Sequence, residues 1–279
     1  MKNILIATDF SENAKPAVEW ALQLACHTNS TLHILHTYLP VYPMTETVAG
    51  PSVMVEWEET YRVSAQERMD KLAVELKTRC PKVETHLELG PLTTVIEELV
   101  TDSSIDLVVM GRSESGGWIF ELLGSAATQL IDDISVPVLV VPAEVTQFKI
   151  ERIAYATQLE FDELKVLKEI YQWADDLNAS VQLINVQTER EPNINSDEDA
   201  LEEIRAAFPT RHTMVLQRTA HSVEEGINEL VIDTEADLLV TASHHRNLFT
   251  QIVNPSNSRK LLLHSHIPTM VFSLGKHEI

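Results

Sequence analysis

The chain has 279 residues, of which 44% are hydrophobic, and its formal net charge at pH 7 is −21. This length is typical of about two domains, and the apolar content is enough for ordinary globular cores. So large an acidic excess argues against binding to nucleic acid or to an anionic membrane surface, because phosphate groups are held by basic patches.

The first residues and the cysteines indicate the compartment. Met1 to Asn3 leads directly into an apolar, strand-like run, without the pattern of a signal peptide. No apolar run approaches the roughly 18 residues of a transmembrane helix. Cys26 and Cys80 lack the spacing of a disulfide framework, which indicates a reducing compartment. We therefore expect a cytoplasmic protein with no membrane segment.

Apolar runs and helical repeats alternate along the first half of the chain. Runs such as Ile4–Ala7 and Leu107–Met110 have no polar alternation, which is typical of parallel strands buried on both faces. In chain order we predict strands at 2–8, 31–37, 83–89, 106–110 and 136–141, and helices after Ser11, at 55–79, at 92–100 and from Ser125. Such alternation predicts a parallel α/β sheet.

A glycine-bearing loop runs from Gly111 to Ser125, between a predicted strand and a predicted helix. It contains four of the eight glycines of the chain, Gly111, Gly116, Gly117 and Gly124. Free backbone N–H groups and the positive end of a helix dipole would meet there, which favours an anion site. A plain strand-to-helix connection is the alternative interpretation.

The second half repeats the first. Ile153–Gln158 matches Ile4–Asp9, and Ile267–Val271 matches Val136–Val140. The offset is 149 at the first match (153 − 4) and 131 at the last (267 − 136), so about 18 residues are missing, which we expect in the loop and helix after the second strand. Further strands are predicted at 181–186, 212–216 and 237–242, and helices at 164–174, 200–208 and 223–232. The pattern predicts a tandem duplication with domains at 1–145 and 150–279.

Three features of the first half carry a resemblance: the strand Ile4–Asp9 with its terminal aspartate, the strand Asp106–Gly111, and the pair Gly124-Ser125. In this combination the chain resembles a tandem universal stress protein over nearly its whole length. The resemblance implies an α/β fold of two tandem doubly wound parallel five-stranded sheets, with flavodoxin-like (adenine nucleotide alpha hydrolase-like) strand order. It also implies an intramolecular pseudo-dimer joined through 138–141 and 270–273. Some family members dimerise further, so a homodimer is a second level of assembly to consider.

The resemblance also implies a site for ATP with Mg²⁺ in the first domain. Residues at the end of the first strand would meet adenine and ribose, Thr37 would border the adenine, and residues of the fourth strand would flank the ribose and first phosphate. The pair at the helix start and the residue after it would hold the β- and γ-phosphates. The implied nucleotide-binding residues are Ala7, Thr8, Asp9, Thr37, Met110, Gly111, Gly124, Ser125 and Ala126.

The chain departs from the family pattern in both halves. Glu114 stands where the family has its second glycine, and a carboxylate there would either repel the phosphates or reach a Mg²⁺ that bridges them. In the second half, Gln158, Ala242 and Pro255 replace Asp9, Gly111 and Gly124. We therefore predict a partly kept motif in the first domain and a degenerate one in the second.

Two functional hypotheses follow. The first is a stress-response ATP-binding sensor or switch that uses the first domain and is not an enzyme beyond slow ATP hydrolysis, since Asp9 has no second catalytic group placed by motif. The alternative is an interaction or small-ligand-binding stress protein with relic sites and an unidentified protein partner. No metal site is predicted, because His264 and His266 have poor ligand spacing, and His33 and His36 point to opposite sides of a strand.

Overall fold

The computed structural model describes residues 1–39, 51–112, 134–159, 163–188, 197–244 and 265–274. Its first half contains the strands β1 (Asn3–Ala7), β2 (Thr31–Tyr38), β3 (Val83–Leu89), β4 (Leu107–Arg112) and β5 (Val138–Pro142). Its helices are a short 3₁₀ turn at Glu12–Ala14 followed by α1 (Lys15–Thr28), α2 (Pro51–Lys77) and α3 (Leu92–Asp102).

The second half repeats this order. Its strands are β6 (Arg152–Ala156), β7 (Ser180–Thr188), β8 (Val215–Ala220), β9 (Leu238–His244) and β10 (Thr269–Leu274). Its described helices are α4 (Leu164–Leu177), α5 (Asp197–Ala207) and α6 (Val223–Asp233). Helix α5 has 11 residues where α2 has 27, so most of the missing residues belong to this helix, as predicted.

Local sequence explains where the first helix of each half ends. Helix α1 ends before Asn29 and helix α4 before Asn178, and these residues have φ values of 53° and 55°. Asparagine tolerates this left-handed conformation better than most residues, and there it closes a helix. The two halves therefore use the same residue type to end the same helix.

All ten strands form one sheet in the order β3-β2-β1-β4-β5-β10-β9-β6-β7-β8. Within each half the strands are parallel, which confirms the doubly wound prediction. The order within a half is 3-2-1-4-5 and differs from the 2-1-3-4-5 order of flavodoxin itself. Strand β1 therefore lies between β2 and β4, and the topological switch point lies at the carboxyl ends of β1 and β4.

The two halves join through their last strands. β5 and β10 are antiparallel, and Val140, Leu139 and Val138 pair with Thr269, Met270 and Val271. This pairing confirms the predicted interface of the intramolecular pseudo-dimer. On one face of the sheet a single buried cluster includes residues of both halves, among them Trp20, Leu139, Tyr155 and Met270.

One predicted strand is wrong in its bounds. The strand predicted at 212–216 is found at Val215–Ala220, where it pairs with β7 from Leu183 to Thr188. β8 lies at the edge of the sheet, where polar side chains are tolerated: Gln217 is exposed, and Arg218 pairs with Glu229 and Asp233 of α6. The apolar pattern ends earlier than the hydrogen-bonded ladder does.

Within the described residues, no helix is both long and apolar enough to span a membrane.

Candidate functional site

The turn after β1 presents an aspartate at the switch point. Thr8 is buried, and its hydroxyl accepts a hydrogen bond from the backbone N–H of Phe10 at 3.0 Å. Phe10 has a φ of 60°, which places Asp9 at the tip of a tight turn. One oxygen of the half-buried Asp9 carboxylate accepts from the backbone N–H of Ser11 at 2.9 Å. The carboxylate is thereby held at the carboxyl end of β1.

The neighbouring strand brings two further predicted residues to this turn. Met110 of β4 pairs with Ala7 of β1, and Gly111 follows it. A Cβ atom on Gly111 would lie 3.4 Å from the Ala17 Cβ and 3.5 Å from the Ala14 Cα. These are ordinary contacts, and Gly111 does not have a positive φ. The glycine at this position therefore packs closely against the start of α1 and is not required by the backbone conformation.

His36 of β2 is also part of the site, although it is not among the residues predicted from the sequence. Its Nδ1 atom donates a hydrogen bond to the backbone carbonyl of Thr8 at 2.8 Å, and its ring lies 4.6 Å from the Phe10 ring. Burial lowers the pKa of His36, against the opposing effects of the Thr8 carbonyl and the Asp9 charge. Thr37, the next residue of β2, is buried with 3% of its surface exposed.

The structure thus brings together Ala7, Thr8, Asp9, Met110 and Gly111 at one end of two paired strands. Thr37 lies on β2, which pairs with β1 on its other side. The remaining predicted residues, Gly124, Ser125 and Ala126, lie outside the described residues, as does Glu114.

The second half has the same backbone turn after β6, with different side chains around it. The hydroxyl of Thr157 accepts from the N–H of Leu159 at 2.9 Å, and Leu159 has a φ of 58°. Asn185 occupies the position of His36 and donates to the Thr157 carbonyl at 2.9 Å. The turn and its supporting side chain are therefore repeated, with asparagine in place of histidine.

Glu163 is the main difference between the two turns. It corresponds to Ala14 by the offset of 149 (163 − 14), and only 1% of its surface is exposed. Its carboxylate accepts from the Thr157 hydroxyl and, at 2.8 Å, from the backbone N–H of Gln158, the residue that replaces Asp9. Burial and the nearby Glu163 carboxylate raise the pKa of Tyr155 well above its ordinary value. An internal carboxylate thus occupies the end of β6.

The Asp9 carboxylate is placed to accept hydrogen bonds. It accepts one from the backbone N–H of Ser11 at 2.9 Å, and Lys15, six residues later in the chain, is paired with Glu12 at 2.6 Å. A carboxylate held at a switch point is suited to accept hydrogen bonds from ligand hydroxyl groups.

The sequence comparison identifies the family. The profile of the Universal stress protein family matches the chain twice, at residues 1–142 and 149–273. The chain belongs to the universal stress protein family. Universal stress protein A of Escherichia coli K12 is 30% identical over 147 residues, which are 50% of this chain and 94% of that protein.

Other universal stress proteins are similar over different lengths. Universal stress protein Rv2624c of Mycobacterium tuberculosis is 26% identical over 147 residues, and the matched region is 53% of this chain and 50% of that protein. The match thus spans about half the length of this relative. A universal stress protein from Archaeoglobus fulgidus has a TM-score of 0.71 with 17% identity, and the match covers 99% of this chain and 97% of that structure. This structural likeness shows the tandem fold.

Proposed function

We propose that this universal stress protein binds an adenine nucleotide, ATP with Mg²⁺, in its first half and acts as a stress-response sensor or switch. The observation that carries the proposal is the contrast between the two turns. The first presents the Asp9 carboxylate and has the small Ala14 at the position of Glu163, whereas the second is filled by the Glu163 carboxylate. Binding shifts the protein between states, and hydrolysis, if it occurs, is slow.

Asp9 retains acceptor capacity for a ligand. An ionised carboxylate has about four lone-pair sites. The Ser11 N–H takes up one of them at 2.9 Å, so the others can accept from ribose hydroxyl groups. The switch point of a doubly wound sheet is where such sheets bind their ligands. The described residues therefore fit the adenosine end of a nucleotide.

The second half is unsuited to the same ligand. Glu163 already accepts from the Gln158 N–H, which corresponds to the Asp9 N–H of the first half. A buried carboxylate also repels phosphate groups, and the repulsion is strong where the dielectric constant is low. We therefore assign one nucleotide to each chain. Mg²⁺ would offset part of the charge of a triphosphate entering a protein with a net charge of −21.

Calorimetric titration of the full chain with Mg-ATP tests the proposal. We expect one nucleotide per chain, and Asp9→Ala should weaken binding about 10- to 150-fold, the equivalent of one charge-assisted hydrogen bond. Gly124→Val should abolish binding if the sequence motif holds the phosphates. Gln158→Ala is the matched control, because it changes the equivalent position of the second half and should leave the affinity unaltered.

Two results would contradict the proposal. Absence of heat with the wild-type chain would favour the alternative, in which the chain is an interaction or small-ligand-binding protein with relic sites. Binding that survives both Asp9→Ala and Gly124→Val would place the ligand elsewhere. The Glu163-filled second half is the observation that favours the alternative for that half of the molecule.

A further inference from the structure

Three side chains with metal-ligating atoms lie together on the paired strands β2 and β3. They are His33, Glu84 and His86, and their ligand atoms all lie within 4.8 Å of one another. His33 pairs with Glu84 across the two strands, and His86 is two residues further along β3. Since side chains two residues apart point to the same face, all three belong to one face of the sheet. The strand pairing thus gathers residues that are up to 53 positions apart.

The distances within this cluster suit a small divalent cation. His33 Nδ1 lies 3.0 Å from His86 Nε2 and 3.6 Å from Glu84 Oε2. Nitrogen and carboxylate ligands bind Zn²⁺ at about 2.0–2.2 Å, so tetrahedral ligands are about 3.3–3.6 Å apart. The two imidazoles need to separate by a few tenths of an ångström, and the ligand atoms of Glu84 and His86 lie within 4.8 Å of each other. The His33 side chain is 5% exposed and that of Glu84 is 62% exposed, so the carboxylate closes the cluster on its solvent side.

Asn3 orients the buried imidazole. Its Nδ2 atom donates to the carbonyls of Ser103 and Ser104, both at 3.1 Å. This turns its Oδ1 atom toward His33 Nε2 at 3.4 Å, so Nε2 is the protonated nitrogen of His33. The lone pair of His33 Nδ1 then points at His86 and Glu84. A metal-binding histidine usually donates a hydrogen bond from its other ring nitrogen in this way, and that bond fixes the orientation of the ring.

The fold of the sheet does not require His33, Glu84 and His86 at these positions. Ile34 pairs with Thr85 in the first half, and the equivalent Leu183 pairs with Val215 in the second. This register makes Gln182, Met214 and Leu216 the counterparts of His33, Glu84 and His86, and Arg152 that of Asn3. All three metal-ligating side chains and the orienting amide are therefore confined to the first half, although both halves have the same fold.

We propose that His33, Glu84 and His86 bind one Zn²⁺ ion, with a water molecule in the fourth, solvent-facing position. Two histidines and one glutamate are an established ligand set for zinc. The ion ties the edge strand β3 to β2 and stabilises the first half. His33 and Glu84 lie within the first three residues of β2 and β3, whereas the candidate nucleotide site lies at the carboxyl ends of β1 and β4, so Zn²⁺ and Mg-ATP have separate sites.

Calorimetric titration of the chelator-treated full chain with ZnCl₂ tests this proposal. The variants His33→Gln, Glu84→Met and His86→Leu introduce the residues that the second half carries at the same positions, so they are compatible with the fold. We expect one tight equivalent of Zn²⁺ for the wild type, and a loss of affinity of more than the 10- to 100-fold typical of outer-shell changes in each variant. His221→Gln, which changes an exposed histidine outside the cluster, is the matched control and should bind as the wild type does.

A melting experiment provides the second measurement. Zn²⁺ should raise the melting temperature of the wild type and of His221→Gln, because a ligand that binds only the folded state stabilises it. It should leave that of His86→Leu unchanged, and circular dichroism without metal should show that this variant is folded. The proposal is overturned if the wild type takes up no Zn²⁺, or if His33→Gln and His86→Leu bind it as tightly as the wild type does.

Discussion

At the scale of single residues, the two halves keep one backbone turn and change the side chains that support it. The Thr8 and Thr157 carbonyls each accept a hydrogen bond from a side chain of the neighbouring strand. The donor is His36 in the first half and Asn185 in the second. His36 Nδ1 lies 2.8 Å and Asn185 Nδ2 lies 2.9 Å from the carbonyl oxygen that each contacts. Of the two side chains, only histidine titrates near neutral pH. This difference makes the first-half turn sensitive to pH.

We predict that His36→Asn reduces the pH dependence of stability. Burial lowers the pKa of His36 below the value of about 6.5 expected in the unfolded chain. The unfolded state therefore binds more protons than the native state near that pH, and the free energy of unfolding decreases as the pH falls through about 6.5. Asparagine keeps the bond to Thr8, as Asn185 does to Thr157, but does not take up a proton.

Urea unfolding at pH 8 and pH 5.5, in the presence of a metal chelator, measures this effect. A full proton of difference corresponds to about 1.4 kcal/mol per pH unit, and the variant should lose part of the observed slope. The loss is partial, because burial also lowers the pKa values of His33 and His86. His221→Asn is the control at an exposed position. An unchanged slope in His36→Asn would mean that this histidine does not protonate on unfolding.

Sequence patterns identified Asp9 but not the residues that support or replace it. When the two halves are aligned, Asp9 corresponds to Gln158, since each residue follows an apolar strand. The role of His36 depends on a contact with a residue 28 positions away, and that of Glu163 depends on how α4 begins over β6. Neither contact joins residues at a spacing that can be recognised as a motif in the sequence. The glycine loop was the main sequence signal for phosphates, and its role stays a prediction.

At the scale of secondary-structure elements, one aspartate in each half holds two strands in register. The Asp106 carboxylate, just before β4, accepts from the backbone N–H groups of Lys2 and Asn3. The Asp237 carboxylate, just before β9, accepts from those of Glu151 and Arg152, both at 3.0 Å. Each aspartate also donates its own N–H to the first strand of its half. The same device therefore fixes β1 on β4 and β6 on β9.

We predict that Asp237→Asn destabilises the protein by about 1–3 kcal/mol, because an amide accepts less well than a carboxylate and leaves the backbone N–H groups of Glu151 and Arg152 poorly satisfied. Burial opposes ionisation of Asp237, but hydrogen bonds from Lys149 Nζ and two backbone N–H groups hold its pKa below the ordinary value. Lys149→Met leaves the two backbone donors in place and removes the exposed Lys149 Nζ, which lies 2.9 Å from Asp237 Oδ1. It should therefore lower the free energy of unfolding by less. Urea unfolding at pH 7 compares the two. Equal losses would assign the effect to the ion pair and not to strand register.

Element positions were predictable where apolar runs coincide with hydrogen-bonded ladders. The runs in β1, β2 and β4 predicted the strands to within a residue or two at each end, since these strands are bounded by turns or polar residues. The predicted start of β8 was three residues too early, because its ladder with β7 continues through polar side chains. β3, at the other edge of the sheet, alternates along its length and was predicted at its observed bounds.

At the scale of the whole molecule, one sheet and one shared core join the two halves. The antiparallel pair β5–β10 lies at the centre of the ten strands, and one face carries a continuous cluster from Trp20 to Phe272. The opposite face carries two separate clusters: one of first-half residues together with Val271 of β10, and one of second-half residues. The resemblance to tandem universal stress proteins implied this pairing, which also covers the edge that an unpaired fifth strand would leave on each half.

Arg112 links the two halves beside this strand pair. Its side chain is 4% exposed, and its Nη2 atom donates to the Ser265 carbonyl of the other half at 2.6 Å. The second-half counterpart is Ser243, so the contact is not repeated by the pseudo-symmetry. Arg112→Ala leaves the Ser265 carbonyl without this donor. We expect a loss of about 1.5–3 kcal/mol, the range for a hydrogen bond to a charged group.

Urea unfolding followed by tryptophan fluorescence measures this loss. Trp20 lies in the first-half part of the shared core and Trp173 packs 5.9 Å from Phe272 of β10, so the probes report on both halves. The wild type should unfold in one transition, and Arg112→Ala should lower its midpoint. Arg62→Ala, which breaks an exposed pair with Glu59, should change it little. A midpoint of Arg112→Ala equal to that of Arg62→Ala would show that the halves are held by β5–β10 and the apolar core alone.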